Sequence, residues 1–180
     1  KTEFFVGKEA GKDTVDQVAM AGDTGYVISD NANLVSNRVT PIDGKKAGTM
    51  QTVTIDPKAK VFTQDIFDDV AHKQALADSI TKSVKRNTSV DLDKINADIQ
   101  AMVNDSHNIG DVVDQLDNFF DSFDDIPQSH DLVNSAIKEQ GFDGYTSTAK
   151  GYTEGKASNT MVIFDKAHLK HGDAVPTQAF

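Results

Sequence analysis

Between residues 64 and 140 the hydrophobic residues recur with a helical period, and on both sides of that stretch they fall in short strand-like runs. The chain therefore reads as two strand-bearing ends on either side of a helical middle. Residues 2–6, with Phe4, Phe5 and Val6 ahead of Gly7, have the composition of a short buried strand. Gly7 and Gly11 bracket a turn, and Thr14 can cap a short helix carrying Val15, Val18 and Ala19 that Gly22 ends. Gly25 to Ser29 returns as a strand, and Asp30 or Asn31 is suited to cap a helix reaching about Arg38. Pro41 to Gly48 is a turn-rich, exposed loop. Met50 to Ile55 alternates, with Val53 and Ile55 on one face, Asp56-Pro57 breaks the strand, and residues 60–63 resume its direction.

The helical middle divides by its stripes and caps. Ile66, Phe67, Val70, Leu76, Ile80 and Val84 predict one helix of about five turns with some slippage in its stripe. Asn87-Thr88-Ser89 interrupts it, and Leu92, Ile95, Ile99, Met102 and Val103 mark a second. Val112, Val113, Leu116, Phe119, Phe120 and Phe123 define a third, with Asp111, Asp114, Asp117, Asp121 and Asp124 opposite them. Ser129 caps a fourth, carrying Leu132, Val133, Ala136 and Ile137 inward, which Gly141 stops.

Composition excludes several functions. A chain of 180 residues is one domain's worth and long enough for a substantial core. Without cysteine it has no disulfide, no thiolate metal site and no thiol nucleophile, and no redox clue to its compartment. A net charge of −10 argues against a general binder of nucleic acid. The small basic cluster Lys82, Lys85 and Arg86 reads as a solvated helix end. No apolar run approaches the roughly 18 residues of a membrane span and no signal-peptide pattern opens the chain, so a soluble domain without a membrane partner is expected. The chain opens at Lys1, which implies a processed product or a piece of a longer polypeptide.

The five histidines, His72, His107, His130, His168 and His171, show no zinc spacing, so no metal is expected; His168 and His171 read as a basic surface edge. Nucleophile-elbow, Walker and dinucleotide glycine motifs are missing. The Asp stripe spreads its carboxylates over about 20 Å of helix rather than converging them as calcium requires. It reads as a solvated face, and its functional reading is a basic protein partner steered to the helix between Asp111 and Asp125.

The last third narrows the fold further. Gly141-Phe142-Asp143-Gly144-Tyr145 opens a strand directly after a helix, and Thr160-Met161-Val162-Ile163-Phe164-Asp165 is an apolar strand. A Gly-, Ser- and Lys-rich loop over residues 149–158 joins them. This arrangement resembles the C-terminal half of an ADP-ribosyltransferase fold. Residues 2–8 resemble that family's first strand, and Gly25-Tyr26-Val27-Ile28-Ser29-Asp30 with the helix after it resembles a strand and helix of the poly(ADP-ribose) polymerase branch. The long helical segment is similar to what such domains carry in bacteriophage polyvalent proteins.

The resemblance implies an α+β fold with a split, mostly antiparallel sheet core. Residues 1–63 would be the first sheet half, 64–140 a four-helix insertion between the third and fourth major strands, and 141–180 the second half. It implies NAD as cofactor, met by Gly7, Val27, Ser29, Ser36 and Arg38. Gly7 would hold the nicotinamide amide or be a plain turn glycine, and Arg38 would meet a pyrophosphate or form a surface salt bridge. The family's His, Tyr and catalytic Glu fall at Val6, Val27 and Thr160.

Transfer of ADP-ribose passes through an oxocarbenium-like state that a carboxylate stabilises, and Thr160 cannot supply that charge. Glu154 replaces it only if its loop folds back; otherwise that loop is simply exposed. Three readings follow. The chain is a degenerate, non-catalytic binding module of phage or effector origin, an active mono-ADP-ribosyltransferase using Glu154, or a structural protein packaged in a virion. In the effector and virion settings it would be carried in a particle or delivered into a host cytoplasm.

Overall fold

The computed structural model describes residues 3–8, 26–39, 48–87, 92–121, 128–150 and 157–175. The short helix expected after Thr14 and the loop over 41–47 lie outside the described residues. Among the described residues seven strands form one sheet. They are β1 (Phe4–Lys8), β2 (Tyr26–Ser29), β3 (Thr49–Ile55), β4 (Val61–Phe62), β5 (Gly144–Lys150), β6 (Ala157–Ile163) and β7 (Leu169–Val175). Their order is β4-β5-β6-β2-β1-β3-β7. Of the pairings among these strands only β4 with β5 is parallel, so the fold is α+β with a mostly antiparallel sheet.

The two chain ends interleave in this sheet. β2 pairs with β6 and β3 with β7, so each side of the sheet takes strands from both ends of the chain. Among the described residues β1 and β2 share the single register pair Phe5↔Ser29, whereas β1 and β3 share five. The sheet is therefore thinly joined at its centre.

Helix α1 (Ala32–Val39) follows β2. Among the described residues five more helices lie between β4 and β5: α2 (Gln64–Asp68), α3 (Val70–Asn87), α4 (Leu92–Asp105), α5 (Ile109–Phe120) and α6 (Ser129–Glu139). The hydrophobic stripes predict four. The first breaks in two at Asp69, whose backbone is extended. Its Oδ2 accepts the His72 N–H at 3.1 Å and lies 2.6 Å from His72 Nδ1, which caps the start of α3. The slippage in the stripe is the trace of this break. Val70, expected inward, is 82% exposed just after it.

Two other expectations shift slightly. Ser129 is not the cap of α6 but its buried first residue, and Gln128 holds the cap position without a side-chain hydrogen bond. The loop expected over 149–158 is shorter at both ends, since β5 continues to Lys150 and pairs with β6 from Ala157 onward. Thr146 and Thr148 are β-branched and favour extended backbone, which an apolar pattern alone does not reveal.

The segment between α6 and β5 shows why its residues are what they are. Gly141, at φ 89°, takes the left-handed conformation that closes α6, with its N–H donating to Lys138 O and that of Phe142 to Ile137 O. Asp143 Oδ2 accepts the Lys60 N–H at 2.8 Å, its own N–H donates to Lys60 O, and its carbonyl accepts the Phe164 N–H. One aspartate thus ties the start of β4 and the end of β6 to the start of β5.

The helices bury one face of the sheet. Phe62, Val27, Tyr145 and Val162 pack there with the inward stripes of α3, α4, α5 and α6, whose largest members include Leu76, Ile99 and Leu116. On the other face Val6, Ile28, Val53, Ile163 and Leu169 form a smaller cluster built of strand residues alone. Val27 and Ile28 on β2, and Val162 and Ile163 on β6, go to opposite faces. Both strands are therefore buried on two sides and read in sequence as continuous apolar runs.

Candidate functional site

Register brings residues of the helix-covered face into rows across the strands, because directly opposed residues point to the same side. Phe62, Tyr145, Val162 and Val27 form one such row over β4, β5, β6 and β2, and all four are buried. Burial pushes the Tyr145 phenol far above its usual pKa, so it serves as a packed ring and not as an acid. Two residues along the same strands, Ser147, Thr160, Ser29, Phe5 and Thr52 hold register positions in a second row. Counted from the pair Phe5↔Ser29, the first row continues across the thin junction at Gly7, which opposes Met50.

Helix α1 covers this end of the first row. A Cβ placed on Gly7 would meet Val39 Cγ1 at 2.5 Å and Val35 Cγ1 at 3.3 Å, so glycine is required for α1 to lie this close. The hydroxyl row therefore runs beside a row that the helical bundle covers at Val27 and α1 covers at Gly7. It crosses from β2 to β1 at their one register pair.

Ser29 is 0% and Thr160 2% exposed. The Ser29 Oγ accepts the Asn31 N–H at 3.1 Å and turns the chain from β2 into α1. Thr160 Oγ1 is buried with no hydrogen-bond partner. A buried, unpaired hydroxyl costs about 1–3 kcal/mol, which makes it the least explained polar atom of this face. The register partners of Thr160 are Ser29 and Ser147, so no carboxylate stands beside it in the row. The row can give and take hydrogen bonds; it cannot neutralise a developing positive charge.

The residues carried over from the family resemblance are brought together only in part. Thr160 and Ser29 are direct register partners. Val27 lies in the neighbouring row, inside the hydrophobic core. Val6 points to the opposite face, among Ile28 and Val53, and does not share a surface with Val27 or Thr160. Gly7 is filled on its side-chain side by α1. Ser36 is buried within α1, and Arg38 lies in the last turn of that helix. Glu154 lies outside the described residues. Toward NAD, the fit of these positions is therefore limited to the hydroxyl row, since protein atoms occupy the space beside Gly7 and Val27.

The pairing of Ser29 with Thr160 is beyond the reach of sequence motifs, because it depends on strand register. The acidic face is where the stripe puts it: Asp114 and Asp117 on α5 and Asp121 at its C-cap are exposed, while Asp111 accepts the His107 N–H near its start. Asp124 and Asp125 lie outside the described residues. Among the described residues no group of three or more His, Asp or Glu is placed to hold a metal ion. No helix among them is long and apolar enough to cross a membrane. Comparison of the chain with protein-family models, curated proteins and solved structures found no match.

Proposed function

We propose that this chain is an ADP-ribosyltransferase-like domain that does not transfer ADP-ribose and acts as a binding module for a protein or small ligand. The observation that carries the reading is Thr160. It stands where the resemblance puts the catalytic glutamate, buried, unpartnered and beside Ser29. A hydroxyl there supplies a hydrogen bond to a bound molecule and withholds the charge that the transfer reaction needs. For a protein partner, the exposed carboxylates of α5 favour a basic surface.

The test is calorimetric titration with NAD and with ADP-ribose, run beside an assay for released nicotinamide. The expected result is no nicotinamide above the uncatalysed rate, whether or not heat of binding is seen. Sustained release that disappears in Glu154→Gln would replace this reading with that of an active transferase.

A further inference from the structure

The two faces of the sheet are packed differently where β1 meets β2. On the helix-covered face the packing is interrupted at that line. The cluster under the helical bundle takes Phe62, Tyr145, Val162 and Val27 from β4, β5, β6 and β2, and among the described residues none from β1, β3 or β7. Helix α1 packs on the other side of the line. Its Val35 and Val39 close on Gly7, whose register partner is Met50, and Val35, Val39 and Met50 are all buried outside that cluster. The Gly48 N–H donates to Val39 O at 2.7 Å, which ties the end of α1 to the start of β3. Helix α1 therefore belongs with β1 and β3, although it follows β2 in the chain.

On the opposite face the packing is continuous. Val6 of β1, Ile28 of β2, Val53 of β3, Ile163 of β6 and Leu169 of β7 form one cluster that spans the same line. Backbone pairing across the line is slight, since among the described residues it is limited to Phe5↔Ser29. The chain itself passes from β2 into α1 at the turn where Ser29 Oγ accepts the Asn31 N–H. Parting the strands on the continuous side would expose apolar surface to water. The interrupted side holds the hydroxyls of Ser29 and Thr160, which water or a bound molecule can satisfy. The cheaper movement therefore opens the interrupted side and leaves the other closed.

We propose that the sheet is hinged along the line between β1 and β2. The strand cluster of Val6, Ile28 and Val53 is the pivot, and α1 with β1 and β3 swings away from the helical bundle over Ser29 and Thr160. The movement gives a bound molecule access to hydroxyls that are otherwise buried. That last step rests on the binding role given to the hydroxyl row under Proposed function; the hinge itself does not.

The chain has no cysteine, so single-cysteine variants of the whole chain report opening through the rate of thiol labelling. Thr160→Cys probes the hydroxyl row, Val6→Cys the pivot and Ser83→Cys helix α3, at three positions that are each 2% exposed. Ser29→Cys, at a position 0% exposed, is a second probe of the row. Labelling is followed without ligand across urea concentrations below the unfolding transition, with each rate scaled to that of the unfolded variant. Both row probes should label at least about tenfold faster than Val6→Cys and Ser83→Cys. Their rates should also depend less on urea, because a hinge exposes less surface than unfolding does. A folded row probe that labels no faster than Ser83→Cys, or a Val6→Cys rate that matches the row probes, would overturn the proposal. Repeating the series with NAD and with ADP-ribose separates the two readings. Fast labelling of the row that neither compound slows would uphold the hinge and count against small-ligand binding alone.

Discussion

Two neighbouring rows of one sheet face differ in almost everything except the strands that carry them. Phe62, Tyr145, Val162 and Val27 lie under the helices as packed apolar surface, and two residues along the same strands Thr160 and Ser29 are equally buried but polar. The first row satisfies itself through packing and needs nothing more. The second contains a hydroxyl with no partner, in the part of the sheet where β1 and β2 barely pair. Equal burial therefore does not mean equal purpose. The helical layer explains the first row as stability, and only a bound molecule or a local adjustment would complete the second.

The largest expected effect tests the apolar row. Phe62 is fully buried and meets Phe142 edge-on with ring centroids 5.0 Å apart. Phe62→Ala should lower stability by about 3–5 kcal/mol in urea unfolding. It should leave NAD and ADP-ribose titrations of the still-folded fraction unchanged. A comparable loss of ligand binding at constant foldedness would break the division between the rows.

Next comes the end of that row under α1. Gly7→Ala should cost about 1–3 kcal/mol by overpacking against Val39 and Val35. In the Val39→Ala background the same change should cost much less, because the blocking methyl is gone. If Gly7 instead opened onto a ligand pocket, Gly7→Ala would leave unfolding unaltered and impair binding alone, and this end of the row would have to be reassigned from packing to binding.

How much of this was legible in the sequence follows from range. The strands, the helical middle and most inward stripes are set by local periodicity, so residues such as Ile95, Ile99 and Val103 can be placed from their spacing. The break at Asp69 escapes that reasoning, because a capping aspartate inside a helical stripe resembles a surface residue until its carboxylate is seen on the His72 N–H. The site was less legible still. Analogy pairs Val6 with Val27, and strand parity sends them to opposite faces. Thr160 and Ser29 lie near opposite ends of the chain, and only register makes them neighbours.

A smaller effect, of informative sign, is expected at the hydroxyl itself. Thr160→Val keeps the branched shape and removes the unpaired oxygen. Unfolding without ligand should be unchanged or shifted toward greater stability by up to about 1 kcal/mol, because a buried polar group without a partner is being removed. Any ligand that uses the junction should bind the variant more weakly. Destabilisation of the free protein beyond about 1 kcal/mol would mean that the hydroxyl is structurally engaged, and the contrast between the two rows would lose its main support.

The smallest effect belongs to the helical layer, where a polar group shapes the fold from the surface. The Asp69 carboxyl lies below its usual pKa of 3.8, first because of the hydrogen bond with the His72 side chain and then because of the His72 backbone N–H. A folded-state value below the unfolded one means that the ionised carboxylate stabilises the fold at pH values above about 4, and that this contribution fades as acid protonates the folded form. In Asp69→Asn the new amide would still cap α3, because asparagine caps about as well as aspartate, but it does not titrate. The urea midpoint of the wild type should therefore exceed that of the variant slightly at pH 6, and the two should converge as the pH falls below 3.8. The carboxyl is exposed, so the gap should also narrow in high salt. A gap that persists at low pH would show that Asp69 acts through packing, and the helical layer would then owe its break to shape and not to a charged cap.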